Sequence, residues 1–275
     1  MPALPSSVLE PLWVQVAALL PTRQVHHPLG CHRRRIPDRV IFDKLIQVLV
    51  FGCGYRRIAD ATCSASTLRR RRDEWIRAGV AEQLRRAVLA AYDRLFGLEL
   101  EHLVVDGASP RRLRRAGRRA QSGGSSQAGL KRSVATEASG IPLAAVPAPA
   151  NHRDDGLLAA TLTPSGCSAR CLSGPPCIWT PATTGSRVGR SGASGAWQRD
   201  RHPWQARAGP DQPPLAGGAH PCLANQDGKL RWCTERRRLV VESWLALVNA
   251  VIVCGRLVRR AWTCYRWDSR PHRRP

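Results

Sequence analysis

The sequence predicts an α/β protein: an all-α head followed by a mixed α/β core. Three observations carry this reading. Apolar residues recur at helical spacing through residues 38–96. Strand-length apolar runs then follow around 103–107, 129–136 and 141–146. A long helical pattern returns over 239–260.

Charge sets the partner class. The chain of 275 residues carries 43 Lys+Arg against 20 Asp+Glu, a net charge of +23. Lys44, Lys131 and Lys229 are the only lysines, so the surplus is arginine. Such a balance is the footprint of a polyanion partner, most often nucleic acid. GC-rich DNA also encodes Arg, Ala, Gly and Pro whatever the protein needs, so codon bias is a competing source of the charge. Residues 1–20 have no basic start, and Pro2, Pro5 and Pro11 interrupt them, so no signal peptide is expected. The apolar run Trp244–Gly255 is too short for a bilayer and contains Asn249. A cytoplasmic chain with reduced cysteines is expected. Cys167, Cys171, Cys177, His220 and Cys222 do not have the spacing of a zinc site.

In the head, residues 7–20 form an amphipathic helix with Leu9, Leu12, Trp13, Val16 and Leu20 on one face, ended by Pro21. Residues 21–37 are a basic loop whose His26, His27 and His32 read as solvated. Asp38 is expected to cap the next helix, whose apolar face is Ile41, Leu45, Val48 and Leu49, closed by Gly52 and Gly54. A short helix over Tyr55–Ala61 precedes a break at Thr62-Cys63-Ser64. Ser64 or Ser66 then caps a basic helix running to Gly79. Helix, short turn and basic helix is the plan of a helix-turn-helix, and Arg69, Arg70, Arg71 and Arg72 are its candidate DNA contacts. The competing reading is a helical bundle with a solvated arginine face. A last helix, Ala81–Phe96, places Leu84, Val88, Tyr92 and Leu95 on one face.

The core begins with Leu103-Val104-Val105-Asp106-Gly107, an apolar run ending in an acid. Mg²⁺ favours such carboxylate oxygens and takes one or two from a protein. Asp106 is therefore a candidate metal ligand, although Asp-Gly is also a common turn signal. Residues 108–128 are arginine, serine and glycine with almost nothing apolar, which reads as disordered chain. Two strands joined by a turn at Glu137–Gly140 make a hairpin, and Asn151-His152-Arg153-Asp154-Asp155 leads to a helix near Leu157. Residues 165–222 contain no Glu, and only Leu172, Ile178, Val188 and Leu215 are aliphatics larger than Ala. Such a stretch cannot bury a core.

Four stretches resemble the DDE-type transposases of bacterial insertion sequences. They are Arg35-Ile36-Pro37-Asp38-Arg39-Val40 with the helices after it, Leu103–Gly107, Gly129–Val134 with Gly140–Leu143 and Asn151–Asp154, and Trp232–Arg237 through Pro271. Together they cover about two thirds of the chain. The resemblance implies a ribonuclease-H-like α/β core in which three carboxylates hold two Mg²⁺ ions for DNA cleavage and strand transfer. Asp106 matches the first acid, and the resemblance makes it the candidate catalytic residue. The second, in an Asp-x-Gly-Tyr strand end expected between about 165 and 200, is absent, and so is the third, in a Val-Glu-Arg-Thr helix before Asn225. Asp154 belongs to the turn after the hairpin and is not taken as the second acid. Glu235 lies downstream of the third and reads as structural.

This divides the chain into a helical DNA-binding domain (1–97), the first part of a transposase core (98–164), a low-complexity stretch that is disordered or out of frame (165–222), and the C-terminal helical part of the core (223–275). The composition of 108–128 and 165–222 is that of GC-rich DNA read out of frame, so paired frameshifts are expected and the enzyme is inactive as written. The alternative function class is a non-catalytic basic DNA-binding protein. An RNA-binding reading rests on charge alone and lacks an aromatic-strand signature. The expected partners are insertion-sequence end DNA and a homodimeric second copy, with no membrane.

Overall fold

The computed structural model describes residues 3–22, 35–108, 130–149, 152–162, 178–179, 188–189, 198–199, 228–231, 233, 235 and 237–265. The histidines of the basic loop, the cysteines near 170 and most of 108–128 and 165–222 lie outside these residues.

The head is built from α1 (Ser6–Leu19), α2 (Asp38–Phe51), α3 (Tyr55–Ile58), α4 (Ala65–Arg77) and α5 (Val80–Phe96). Their limits follow from local chemistry. Gly52 ends α2 in the left-handed conformation (φ 66°), its N–H donating to the Val48 carbonyl. Ser64 caps α4, its Oγ accepting from the Thr67 N–H at 3.2 Å. Asp38 does not cap α2. It is the first helical residue after Pro37, and its carboxylate pairs instead with Arg71. Leu12, Ile41, Val48, Leu49, Leu68 and Leu84 are fully buried and form the head's core. Leu95 is 56 % exposed, correcting its place on the buried face of α5, because the helix ends one residue later at Phe96.

The sheet follows. β1 (Val104–Ala108), β2 (Leu130–Thr136) and β3 (Pro142–Pro149) form an antiparallel meander with Asp106 opposite Val134 and Val134 opposite Ala145. The predicted hairpin turn is present: Gly140 has φ 79°, and the Gly140 N–H donates to the Glu137 carbonyl at 2.9 Å. Asp106 is not at the end of its strand, since β1 continues to Ala108. α6 (Asp155–Leu162) covers β2 and β3. Two-residue strands β4 (Ile178–Trp179), β5 (Val188–Gly189) and β6 (Gln198–Arg199) extend the sheet in the order β3-β2-β1-β4-β5-β6, with β4 parallel to β1. Backbone pairing on the open edge of β1 needs no apolar side chain.

After the short α7 (Gly228–Arg231), the long α8 (Arg238–Tyr265) lies across α5, α1 and β3. It buries Val240, Trp244, Leu245, Val248 and Val253, while Leu239 is 60 % exposed at its start. The apolar part of α8 is longer than the run read from sequence. Arg238–Cys264 is long and apolar enough to cross a membrane by length and composition, yet 56 % of its apolar window is buried in the molecule. The head, the sheet and α8 share one hydrophobic core.

Candidate functional site

Two regions hold the chemistry. The first surrounds Asp106. Leu103, Val104 and Val105 bury the strand before it. The Asp106 carboxyl is half-buried, and its Oδ1 is out of contact with solvent and accepts no hydrogen bond among the described residues. Burial pushes this carboxyl up to about 6, a backbone hydrogen bond from Gly107 opposes that, and the negative charge of Asp154 adds to it.

Asp154 is brought here by two devices. Its backbone carbonyl accepts from the Leu157 N–H at 3.1 Å, which seats it at the start of α6. Gly107 leaves room for its carboxylate: a Cβ on Gly107 would overlap Asp154 Oδ1. Lys131 of β2 completes the group. Its Nζ donates to the His152 carbonyl at 2.8 Å and lies 2.7 Å from Asp154 Oδ1. That second approach is an ion pair without hydrogen-bond geometry, so Asp154 Oδ1 also accepts no hydrogen bond. The sequence separates these three residues widely, and only the strand register and the turn before α6 bring them together.

Mg²⁺ takes one or two protein carboxylates, but Asp106 and Gly107 are neighbours in a regular strand and face opposite sides of the sheet, and the Asp154 carboxylate lies on the Gly107 side. Among the described residues no group of three or more His, Cys, Asp or Glu gathers around a common point. Glu235 cannot join this group, because it is held elsewhere: it accepts from Tyr55 Oη at 3.0 Å and pairs with Lys229 at 2.8 Å.

The second region is the arginine helix α4. Leu68, Arg71, Arg72 and Trp75 form its buried face, and Arg69 and Arg70 its exposed face. Arg71 is 2 % exposed and pairs with Asp38 and Glu74. Arg72 is 8 % exposed and donates to Tyr55 Oη and to Asp73. Neither guanidinium is free for DNA. Arg69 lies over the Tyr55 ring at 5.1 Å, its surface open. Arg56 and Arg57 are exposed on the neighbouring α3. The division was legible in the spacing, because Leu68 and Trp75 put positions 71 and 72 on the inner face. The acidic partners that make burial tolerable come from distant segments, and the sequence does not announce them.

Residues 8–85 match a family model described as "Putative transposase of IS4/5 family (DUF4096)". The head is thus similar to that putative transposase family. The match spans α1 to the first part of α5 and so covers the arginine helix and its buried partners. No curated protein and no solved structure matches the chain.

Proposed function

We propose that this chain is an insertion-sequence transposase that keeps the DNA-binding head and lacks the means to cut. The carrying observation is the coincidence of the family match over residues 8–85 with a well-packed helical head that presents Arg56, Arg57, Arg69 and Arg70 to solvent. The α3–turn–α4 pair supports a helix-turn-helix reading, with Arg69 and Arg70 as the DNA contacts. Arg71 and Arg72 act behind them, fixing α4 to α2 and α3 through Asp38 and Tyr55.

The meander β1–β3, the covering helix α6 and the parallel neighbour β4 support a ribonuclease-H-like core carrying Asp106. Strand transfer by the two-metal route stabilises the entering and leaving oxygens together. Mg²⁺, when bound, would supply that stabilisation. Asp106 would hold one ion, and the family's other two acids are absent from the sequence. The out-of-frame composition of 108–128 and 165–222 accounts for their loss.

The test uses the full chain and duplexes of the element's ends. Mobility shift should show binding that weakens with salt, and Arg69→Ala and Arg70→Ala should each reduce the salt slope by about one. The same preparation with Mg²⁺ should yield no nicked or joined product. Binding that survives both substitutions would remove α4 from the interface, and joined product would overturn the claim that the chain cannot cut.

A further inference from the structure

The arginine face of α4 has an acid in its middle, and a residue from the other end of the chain covers it. We propose that Arg237, which lies outside the family match over residues 8–85, is a further DNA-phosphate contact, held on that face by its ion pair with Asp73. This rests on the reading of α4 as the DNA-binding helix. It makes the DNA surface a joint product of the head and the C-terminal part, with Asp73 as a positioning residue.

Helical phase lays out the face. At about 100° per residue, positions 66, 69, 70, 73 and 77 fall within about 60° of one line along α4. Ser66, Arg69, Arg70 and Arg77 are exposed, and Asp73 is partly exposed among them. Arg70 stands one turn before Asp73 and Arg77 one turn after it. Partial burial pushes the Asp73 carboxyl up, but hydrogen bonds from Arg72 and Arg237 outweigh this, so the acid is lowered and ionised. Left alone, that charge would repel a phosphate approaching the neighbouring arginines. It is covered from both sides. Arg72 donates to Oδ1 at 2.8 Å from within the head, and Arg237 donates to Oδ2 at 2.8 Å from the solvent side. Glu74 beside this face is likewise held, by Arg35 and Arg71.

The backbone at Arg237 is fixed while its guanidinium stays open. Two residues earlier, Glu235 pairs with buried Lys229 at 2.8 Å and accepts from Tyr55 Oη at 3.0 Å. On the other side, the Arg237 carbonyl accepts from the Val240 and Val241 N–H groups at 3.1 and 3.2 Å, at the start of α8. This part of the chain is therefore ordered before DNA arrives, and a contact made there does not carry the cost of ordering it. The Arg237 side chain is 61 % exposed. Its bond to Asp73 uses one guanidinium donor, and among the described residues the side chain makes no other hydrogen bond. The remaining N–H groups suit a phosphate oxygen.

The test measures binding of the full chain to a duplex of the element's end across a series of salt concentrations. Arg237→Ala breaks an exposed pair, so its melting temperature should barely move. It should weaken binding several-fold and reduce the salt slope by about one. Arg237→Lys keeps the charge and should keep the slope. Arg259→Ala removes an equal charge from an exposed position about 30 Å away along α8, and it should leave the slope unchanged. Joining Arg237→Ala with Asp73→Asn separates contact from mere masking of the acid. The slope of the double variant should stay about one below that of the unsubstituted chain. Its full return would overturn the proposal, because Arg237 would then only have covered Asp73. An unchanged slope in Arg237→Ala, with Arg69→Ala and Arg70→Ala each lowering it, would also overturn the proposal and leave α4 as the DNA-binding helix. Silence at all three positions would overturn both.

Discussion

A buried carboxyl beside another carboxylate is a small destabilising element, and Asp106 is one. Its folded value of about 6 lies above that of the unfolded chain, so the native state holds the proton more tightly. Stability should therefore fall as pH rises from about 4 to about 6 and level off above that range. Asp106→Asn should raise stability at pH 7 by on the order of 1 kcal/mol, after discounting for its partial exposure. Denaturant unfolding at pH 4 and pH 7 checks this, and a substitution that destabilises at pH 7 would contradict it. The arginines of α4 make the complementary case. Arg71→Ala removes the partner of the Asp38 carboxylate and one of the two arginines on Glu74, which keeps Arg35, and should cost about 1–3 kcal/mol. Arg70→Ala, one position away and exposed, should leave the melting temperature unchanged. These four adjacent arginines look alike in sequence, and only their phase on the helix separates structural from binding roles.

At the scale of elements, most of the fold was readable because its signals are local. Helix periodicity, the Gly52 end of α2, the Ser64 cap and the Glu137–Gly140 turn are each set by a few neighbouring residues. What could not be read was long-range. Lys131, Gly107 and Asp154 meet only because β2 pairs in register with β1 and the chain turns into α6 before covering the sheet. Two glycine contacts test the element packing. Gly52 has φ 66°, and a Cβ there would overlap the backbone of Gly228 in α7. Gly52→Ala should therefore destabilise by about 1–3 kcal/mol or more, through strain in the left-handed region and overlap with fixed backbone. Gly107→Ala should push the Asp154 carboxylate aside, and a crystal structure of the variant would show whether the pair with Lys131 is lost. An unmoved Asp154 would contradict the tight approach.

At the scale of the molecule, the chain's ends are joined through a buried polar knot. Tyr55 and Arg72 of the head meet Lys229 and Glu235 of the C-terminal part, and Asp73 pairs with Arg237 at 2.8 Å. Burial pushes the Tyr55 phenol up, so it stays a neutral donor to Glu235. Glu235→Ala leaves Lys229 and Arg72 facing each other without their carboxylate and should cost several kcal/mol, about the 3–5 kcal/mol of a broken buried pair. The domains drawn from sequence as separate stretches thus share one core, with α8 lying on both head and sheet. The sequence did show that the middle of the chain is different in kind, because 165–222 lacks the aliphatic residues that a buried sheet requires. Residues 8–85 match a putative transposase family, and the proposed function joins that head to an interrupted core. The nucleotide sequence of the gene tests it most directly, translated in all forward frames across codons 108–128 and 165–222. An alternative frame spelling Asp-x-Gly-Tyr, and later Glu-Arg-Thr, is the predicted result. Meaningless text in both alternative frames would contradict it and leave a basic DNA-binding protein in its place.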